Sequence, residues 1–426
     1  MQKLNFDHTS IGIIGLGYVG LPLAIEFGKK WQTIGYDVNS QRIDALKTNH
    51  DNTLEVSSDD FMESSYLRFT DDLNCIKKCN IYIVSVPTPI DQKFKPDLTL
   101  IKKASTSIAS ILDIGDIVVY ESTVYPGLTE EVCVPLLEKS GLKFNIDFYC
   151  GYSPERINPG DQNHKLKDIV KVVSASNDEA LKLLDHLYSS IIDAGTYLAE
   201  SIKVAEAAKV IENTQRDLNI ALINEFSIIF NKLNLDTDAV LSAARTKWNF
   251  LDFKPGLVGG HCIGVDPYYL TYKSKAVGYN PEIILAGRRL NNEMPNYVAN
   301  RILDTFHSND ISHNKLSALI LGFAFKENCP DIRNTKIYDL FQSLQNLNIQ
   351  SDVYDPVACA LEISEAYGIN ALSEMPKKKY DAVILAVPHN CFTQSGLNYL
   401  KKFCKKKHIL IDLKSSFSKE DSDFRL

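Results

Sequence analysis

The sequence of 426 residues predicts an α/β protein with two Rossmann-like, doubly wound domains joined by a central helical domain that contains a long helix. Three observations support this prediction. A glycine fingerprint follows a short apolar strand near the N-terminus, strand-like runs alternate with helical stretches over about the first two hundred residues, and a similar alternation returns after residue 312. We expect domains at residues 1–200, 201–311 and 312–426, since the chain is long enough for two or three substantial cores.

The first predicted elements form a dinucleotide site. A buried strand, residues 10–14, leads into the sequence Gly15-Leu16-Gly17-Tyr18-Val19-Gly20, residues 21–29 have helical character, and a second strand ends in Asp37. In this motif the glycines permit a tight turn and close approach of a pyrophosphate, which the helix N-terminus attracts. The acid binds ribose hydroxyls and repels a 2′-phosphate, which favours NAD over NADP. The predicted cofactor-binding residues here are Gly15, Gly17, Tyr18, Val19, Gly20, Asp37 and, on the next helix, Arg42.

Two further apolar strands of the first domain end in turns that contain proline. Residues 81–86 lead into Pro87-Thr88-Pro89, and residues 117–120 lead into Glu121-Ser122-Thr123-Val124-Tyr125-Pro126-Gly127. Ligands of open parallel sheets bind at the carboxyl ends of the strands. We therefore expect Pro87, Thr88 and Thr123 to border the cofactor, with an ordinary loop as the alternative for either turn.

A long helix is predicted from about residue 201. Glu206, Lys209, Asn213 and Arg216 recur at spacings of three and four residues, so they share one face of it. A solvated charged stripe is the simpler interpretation of this face. The other interpretation is a polar wall of an active site, because the helix leads towards a cysteine in a glycine-rich turn.

That cysteine, Cys262, lies in the sequence Gly259-Gly260-His261-Cys262-Ile263-Gly264-Val265-Asp266-Pro267. Glycines let backbone and ligand approach the sulfur as larger residues could not. Together with a nicotinamide site, this arrangement favours an oxidation through a sulfur-bound intermediate. A structural cysteine in a buried turn is the alternative.

The third region resembles the first in shortened form. Residues 316–323 predict a strand that meets a glycine, a second strand ends in Asp355-Pro356, and a third runs through residues 380–387. The region lacks G-x-G-x-x-G, which favours a different nucleotide or a sugar nucleotide as its ligand. Two nucleotide domains around a catalytic helix predict that the cysteine lies in the cleft between them.

Composition indicates the compartment and the partners. The net charge of −7 argues against nucleic acid, and no apolar run reaches the length of a membrane span. The N-terminus lacks the layout of a signal peptide, and nine scattered cysteines fit a reducing compartment. Cys75 and Cys79 have no second cysteine or histidine pair nearby, which argues against a zinc site. We expect a cytoplasmic protein that binds neither nucleic acid, nor a membrane, nor a metal.

In this order the motifs resemble the UDP-glucose/GDP-mannose dehydrogenase family along nearly the whole chain. The matching segments are the fingerprint with Asp37, Glu121-Ser122-Thr123-Val124, Ser153-Pro154-Glu155-Arg156, the helix with Lys209 and Asn213, Gly259-Gly260-His261-Cys262, Gly322-Phe323-Ala324-Phe325-Lys326 and Asp331-Ile332-Arg333. The resemblance implies a four-electron oxidation of the C6 alcohol of a nucleotide sugar to a carboxylate, with two NAD⁺. It also implies a homodimer or higher homo-oligomer built on the long central helix.

The resemblance further implies roles for the matching residues. Cys262 would carry a thiohemiacetal and then a thioester, and Lys209 and Asn213 would hydrogen-bond the developing oxyanion. Asp266, with Thr123, would order the water or basic group at C6, and Glu155 would be the base for thioester hydrolysis. Arg333 would contact the NAD pyrophosphate, and Arg245 lies near a position from which some relatives reach substrate across a dimer interface. The expected substrate-binding residues are Glu155, Arg156, Lys209, Asn213, Arg245, Phe250, Phe253, Gly259, His261 and Lys326.

Two segments distinguish branches of this family. The UDP-glucose enzymes usually carry a Lys-Ser-Thr-Val-Pro turn and a Leu-Arg-Glu motif, whereas residues 121–127 and 153–160 differ from both. These segments look like the branch that oxidises UDP-N-acetylglucosamine or UDP-N-acetylgalactosamine, the Vi polysaccharide type, for capsule or O-antigen synthesis. Arg156 and His261 would shape the pocket around the 2-acetamido group. The near alternatives are UDP-N-acetylmannosamine and UDP-glucose dehydrogenases, and the distant ones are a two-electron hydroxyacid dehydrogenase and a non-catalytic nucleotide sensor.

Overall fold

The computed structural model describes residues 9–157, 165–260, 262–312 and 315–426. The chain divides into two compact units. The first unit consists of Met1–Glu212 and Tyr268–Asn280, and the second of Asn213–Pro267 and Pro281–Leu426. No helix among the described residues is both long enough and apolar enough to cross a membrane.

Within the described residues, the sheet of the first unit has eight strands. They are β1 Ser10–Ile14, β2 Gln32–Tyr36, β3 Leu67–Thr70, β4 Ile81–Val84, β5 Ile117–Tyr120, β6 Tyr149–Tyr152, β7 Lys171–Ala175 and β8 Thr196–Leu198. Their spatial order is β3-β2-β1-β4-β5-β6-β7-β8, with β6 and β7 antiparallel. The order reverses at β1, where Ile14 pairs with Tyr36 on one side and with Val84 on the other. Doubly wound sheets bind ligands at such a switch point.

Helices of the first unit follow its strands in sequence. They are α1 Gly20–Gly28, α2 Ser40–Lys47, α3 Ser58–Glu63, α4 Leu73–Ile76, α5 Thr99–Ala109, α6 Val134–Leu137 and α7 Asp178–Ser189. Apolar strand residues such as Ile13, Ile83 and Val119 are fully buried with Phe27 of α1 and Leu184 of α7. Burial of this kind explains why the strands read as continuous apolar runs rather than alternating ones.

Four helices come next among the described residues: α8 Ile202–Lys232, α9 Thr237–Arg245, α10 Asp266–Ala276 and α11 Glu282–Ser308. The boundaries of the two units fall inside α8 and near the start of α10. Helix α8 is 31 residues long because its sequence contains neither glycine nor proline, and it ends just before Asn234, which has a φ of 57°. Pro267 follows the first residue of α10, a position where its missing N–H has no cost.

The second unit has a six-stranded sheet in the part of the chain that is described. Its strands are β9 Leu316–Leu321, β10 Ile349–Tyr354, β11 Ala371–Leu372, β12 Tyr380–Leu385, β13 Cys404–Asp412 and β14 Phe424–Arg425. All neighbours in the order β11-β10-β9-β12-β13-β14 are parallel. The helices that follow β9 are α12 Lys336–Asn346, α13 Ala360–Tyr367, α14 Asn390–Ser395 and α15 Leu397–Lys401.

The predicted fold class is confirmed, because the chain contains two Rossmann-like sheets with a helical region between them in sequence. Strands β1 to β6 of the first sheet and all six strands of the second follow the same order. The sequence did not indicate the antiparallel strand β7, which extends the first sheet beyond β6.

Candidate active site

The loop after β1 has the geometry of a pyrophosphate site. A Cβ on Gly20 would lie 1.8 Å from the Gly15 carbonyl oxygen, so only glycine permits this close packing of helix α1 on the strand. A Cβ on Gly17 would meet nothing within 4 Å, so the space beside the loop is open. Val19, the N-cap residue of α1, makes no side-chain capping hydrogen bond, and Tyr18 and Val19 are half-buried. These features fit the anionic part of a dinucleotide.

Asp37 lies at the end of β2, beside this loop. Its carboxylate is half-buried and accepts hydrogen bonds from the backbone N–H groups of Leu16 and Asn39, both at 2.9 Å. A carboxylate offers about four lone-pair sites, so Asp37 retains capacity for ribose hydroxyls.

Arg42, a predicted cofactor-binding residue, contacts the fingerprint loop. Its Nε donates to the Leu16 carbonyl at 3.0 Å, and its guanidinium pairs with the buried carboxylate of Asp51 at 2.8 Å. In this structure Arg42 therefore braces the fingerprint loop.

The turns after β4 and β5 lie side by side at the carboxyl edge of the first sheet. Val84 pairs with Tyr120 in register, and Ser122 Oγ donates to the Val86 carbonyl at 2.7 Å. Pro87 is exposed, and Thr88 and Thr123 are half-buried. The two turns therefore border the edge at which the fingerprint loop also lies.

Glu155 follows β6, the next strand along this edge, and it is buried. Its Oε1 accepts from the backbone N–H groups of Arg156 and Ile157, both at 2.6 Å, and its Oε2 is 3.3 Å from Lys171 Nζ. Lys171 also bonds the buried carboxylate of Glu121 at 2.7 Å. Tyr188 donates to the other oxygen of Glu121 at 2.5 Å. The sequence predicts Glu155 as a site residue but gives no such role to Lys171, Glu121 or Tyr188.

Arg156 lies at the rim of this cluster. Its guanidinium forms an ion pair with Glu212 of α8 at 2.8 Å and donates to the Val170 carbonyl at 2.9 Å. Both Arg156 and Glu212 are partly exposed, so the pair is accessible from solvent.

The predicted polar face of α8 is largely buried rather than solvated. Glu206 is 0% exposed and Lys209 is 7% exposed, whereas Asn213 is half-buried and Arg216 is exposed. Glu206 accepts from the backbone N–H groups of Gly127 and Thr129, so it holds the turn after β5. Burial raises the pKa of Glu206 to about 7. The solvated-stripe interpretation is therefore wrong for the first two turns of this face.

In the second unit, the cysteine turn packs on the loop after β9. Gly260 has a φ of +84°, and a Cβ there would lie 2.8 Å from the Phe325 ring. Gly260 N–H donates to the Asn334 carbonyl at 3.2 Å, and a Cβ on Gly259 would approach the same oxygen at 2.9 Å. Glycine is therefore required at Gly260 by backbone conformation and by close approach together.

Cys262 is half-buried and begins a tight turn that ends at Asp266. The Cys262 carbonyl accepts from the Asp266 N–H at 2.9 Å, and the fully buried Asp266 carboxylate accepts from Asn213 Nδ2 at 2.6 Å. Three predicted site residues of the second unit thus lie together: a partly accessible thiol, a buried carboxylate and a carboxamide. His261, predicted for the substrate pocket, lies outside the described residues, as do residues 158–160 of the predicted branch motif.

The loop after β9 also carries Lys326 and Arg333. Lys326 is half-buried, and Arg333 binds the carboxylate of Asp331 through two nitrogens at 2.9 Å and 2.6 Å. Asp355 at the end of β10 anchors this loop by accepting from the N–H groups of Phe323 and Ala324 at 2.6 Å and 2.9 Å.

Asp355 is itself paired with the buried imidazole of His389 at 3.1 Å. Because Asn328 N–H donates to His389 Nδ1, the Nε2 atom carries the proton that Asp355 accepts. Burial alone would raise the pKa of Asp355, but hydrogen bonds from His389 and from backbone N–H groups lower it to about 2.

Phe250 and Phe253, both half-buried, belong to the loop after α9. Arg245 at the end of α9 binds Asp252 of this loop at 2.5 Å and Asp238 at 3.6 Å. Asn224 of α8 holds the far end of the loop, because its side chain donates to the Gly256 carbonyl at 3.0 Å and accepts from Gly256 N–H at 2.8 Å.

Asn224 is the first member of a buried polar chain that sequence reasoning missed. It donates to Asn291 at 2.9 Å, Asn291 donates to Asp217 at 2.8 Å, and Arg288 pairs with Asp217 at 2.6 Å. The available signal was the spacing of Asp217 and Asn224, two polar residues seven positions apart among apolar ones on one helix.

Models of one protein family match most of the chain. The NAD binding domain of the UDP-glucose/GDP-mannose dehydrogenase family matches residues 9–192, the central domain matches residues 203–293, and the UDP binding domain matches residues 319–419. The chain belongs to this family. It is an NAD-dependent UDP-sugar dehydrogenase, and the predicted cofactor is confirmed.

Relatives of this dehydrogenase match over the full length. A UDP-N-acetyl-D-glucosamine 6-dehydrogenase of Salmonella typhi is 58% identical over 99% of this chain and 100% of the relative. One from Pseudomonas aeruginosa is 56% identical over 98% and 99%. Among solved structures, a UDP-D-ManNAc dehydrogenase from Pyrococcus horikoshii aligns with a TM-score of 0.86 and 28% identity, over 96% of each chain.

Proposed function

We propose that this dehydrogenase oxidises the C6 alcohol of a UDP-N-acetylhexosamine to the uronic acid, with UDP-N-acetylglucosamine as the first candidate substrate and the galacto epimer as the second. The choice of sugar is supported by the identities of 58% and 56% to the two UDP-N-acetyl-D-glucosamine 6-dehydrogenases, against 28% for the UDP-D-ManNAc dehydrogenase. UDP-N-acetylmannosamine and UDP-glucose remain the alternative substrates.

The observation that carries the four-electron route is the turn from Cys262 to Asp266. The half-buried Cys262 lies in a turn that contains Gly264 and follows Gly259 and Gly260, and the turn ends on a buried carboxylate that accepts from Asn213. A thiol suits this reaction because it holds the aldehyde as a thiohemiacetal until the second oxidation leaves a thioester. A two-electron hydroxyacid dehydrogenase would have no use for such a thiol.

The other residues receive the roles that membership of the family implies. When bound, NAD⁺ accepts the two electrons and the hydrogen that leave C6 at each oxidation. The Lys209 ammonium and the Asn213 amide would donate to the oxygen on which negative charge develops. Asp266, with Thr123, would hold the water or basic group at C6, and Glu155 would take a proton from the water that hydrolyses the thioester.

Binding of the substrate and cofactor would use the remaining predicted residues. Gly15, Gly17 and Gly20 would hold the pyrophosphate, Asp37 the ribose hydroxyls, and Arg333 the pyrophosphate as well. The proposed substrate contacts are Arg156, Arg245, Phe250, Phe253, Gly259, His261 and Lys326. We also propose three domains. Residues 1–200 would bind NAD, residues 201–311 would carry the cysteine turn, and residues 312–426 would bind the UDP-sugar.

Assembly and pathway belong to the same proposal. Leu222, Ile229 and Leu233 are 47%, 44% and 60% exposed and, with half-buried Phe226, form an apolar stripe at helical spacing on α8 and just beyond it. Such a stripe supports a homodimer through this helix. The uronic acid product would supply surface polysaccharide synthesis in the cytoplasm.

Replacement of the thiol tests the covalent route. Cys262→Ser is expected to abolish formation of the uronic acid, because a serine hydroxyl is a much weaker nucleophile at neutral pH, while NAD still binds with unchanged affinity. Product is measured by mass spectrometry and NAD binding by calorimetry. Uronic acid formation at the wild-type rate would refute the proposal.

A further inference from the structure

A buried lysine in the first unit is held by two buried carboxylates. The side chains of Lys171 and Glu121 are 3% and 0% exposed and lie 2.7 Å apart, and Glu155, 8% exposed, is 3.3 Å from the same ammonium. Burying three charges is costly unless each is paired and hydrogen-bonded. Although burial lowers the pKa of Lys171, the two carboxylates outweigh it and raise that pKa overall.

Strand register explains why Lys171 meets Glu155. Strands β6 and β7 are antiparallel, with Tyr152 opposite Ser174. Each step forward beyond β6 is matched by one step back along β7, so the third residue after Tyr152 faces the third residue before Ser174. Those residues are Glu155 and Lys171. The antiparallel strand thus brings a cation to the loop that carries the proposed base.

The contacts of Glu155 divide between its two oxygens. Backbone N–H groups of Arg156 and Ile157 hold Oε1, and Lys171 bonds Oε2. Without the lysine, the second oxygen would lose this partner, and the buried Glu121 carboxylate would repel Glu155 with no cation between them. The orientation of the carboxylate therefore depends on Lys171.

We propose that Lys171 is a positioning residue for hydrolysis of the Cys262 thioester, an inference that rests on the proposed function. In this step the water oxygen bonds the thioester carbonyl carbon, the carbon–sulfur bond breaks, and sulfur leaves as the thiolate. Glu155 takes the proton lost by the water, and no electrons are transferred to or from a cofactor. Lys171 touches neither water nor substrate; it fixes the carboxylate that takes the proton.

The test compares a double variant of unchanged net charge with a matched single variant. Glu121→Gln keeps the Lys171–Glu155 contact and serves as the matched control, since glutamine can still accept from Tyr188. The double variant Lys171→Met/Glu121→Gln removes one positive and one negative charge together, which avoids leaving Glu121 buried without its cation. If the methionine variant melts below the assay temperature, Lys171→Gln/Glu121→Gln replaces it, and Lys171→Arg tests rescue by a second cation.

Rapid mixing with UDP-N-acetylglucosamine and NAD⁺ follows NADH release, and intact-protein mass spectrometry detects the acyl group on Cys262. We expect Glu121→Gln to stay within about threefold of wild type. The double variant should release two NADH per site in a burst, then turn over about 10²-fold more slowly while acyl-enzyme accumulates, as expected for a misplaced base. Lys171→Arg should recover at least part of the hydrolysis rate.

Two results would overturn the proposal. One is hydrolysis in the double variant at the rate of Glu121→Gln. The other is an equal loss in the burst and in the later phase without acyl-enzyme, which indicates general structural damage. Failure of the wild type to release two NADH per sugar would instead contradict the proposed function, and it is seen before any variant is compared.

Discussion

At the scale of single residues, the acids that follow the second strand of each sheet serve different purposes. Asp37 accepts from two backbone N–H groups and stays half-buried. Asp355 accepts from four backbone N–H groups and from His389, and its side chain is fully buried. The same position therefore leaves a half-buried carboxylate in the first sheet, the one that we propose for the ribose, and braces the loop with Lys326 in the second.

Replacing Asp37 tests its role towards the ribose. Asp37→Ala should raise the Kd for NAD by about 10–100-fold, because the ribose hydroxyls lose their hydrogen bonds to a charged acceptor. Asp37→Asn is the control for loop structure, because its amide oxygen can still accept from Leu16 N–H. Calorimetric titration with NAD measures both variants, and an unchanged Kd in Asp37→Ala would refute the ribose role.

Sequence patterns identified residues whose chemistry is local and missed those whose partners are distant. The fingerprint is recognisable because the strand, the glycines, the helix and Asp37 all lie within residues 10–37. The role of Lys171 could not be predicted, because its partner Glu121 is 50 positions away and the sequence does not indicate that β7 is antiparallel. A lysine inside a run of β-branched residues was the available signal, because such a lysine is rarely buried without a partner.

At the scale of elements, helix α8 holds the turn that follows β5. Glu206 accepts from the N–H groups of Gly127 and Thr129 at 2.5 Å and 2.9 Å. Thr129 is the first residue of the short helical segment Thr129–Cys133, and N–H groups at the start of a helix have no partner within it. The carboxyl is fully buried, and burial raises its pKa to about 7. The turn that carries Thr123 is thus anchored by an acid that ionises near neutral pH.

This burial predicts a pH-dependent difference in stability. The folded pKa of Glu206 exceeds the unfolded value of 4.5, so the unfolded chain releases its proton first and stability falls as pH rises from about 4.5 to 7. The free energy of unfolding of the wild type, relative to that of Glu206→Gln, should therefore fall by about 2–3 kcal/mol between pH 5 and pH 8.

Melting temperatures of both proteins, measured at unit steps across this pH range, provide the comparison. We expect the melting temperature of the wild type to fall relative to that of Glu206→Gln as the pH rises. A difference that stays constant with pH, or that moves in favour of the wild type, would contradict the buried titration.

Element types were predicted more reliably than the contacts that fix their loops. The strands after residues 80, 116, 315 and 379 and the long helix all appeared where apolar runs and helical spacing indicated them. The clamp of Asn224 on Gly256 was not predictable, because it depends on a loop folding back over 32 residues. Periodicity shows which face of a helix is apolar; it does not show which loop a buried amide will meet.

At the scale of the whole molecule, the chain carries two sheets with a shared strand order and different loops. The first has the glycine fingerprint after its first strand, and the second has Gly322 followed by a loop that packs on the cysteine turn. Family membership and NAD use follow from the full-length matches.

The apolar stripe on α8 predicts the assembly. If Leu222 and Ile229 lie in a homodimer interface, Leu222→Asp/Ile229→Asp should shift the mass from that of a dimer to one near the monomer value of 47.8 kDa. Light scattering after size-exclusion chromatography gives the mass, and Lys232→Asp at the end of the same helix is the control. A wild type that is monomeric, or a double variant of unchanged mass, would contradict an interface on this helix.

The most direct test of the proposed reaction is the amount of NADH formed per sugar consumed. Purified protein receives UDP-N-acetylglucosamine, UDP-N-acetylgalactosamine, UDP-N-acetylmannosamine and UDP-glucose in parallel, each with NAD⁺ in excess. We expect two NADH per sugar with UDP-N-acetylglucosamine or its galacto epimer and slower turnover with the other two. One NADH per sugar would show that the reaction stops before the acid, and activity on UDP-glucose alone would show that the substrate has been misassigned.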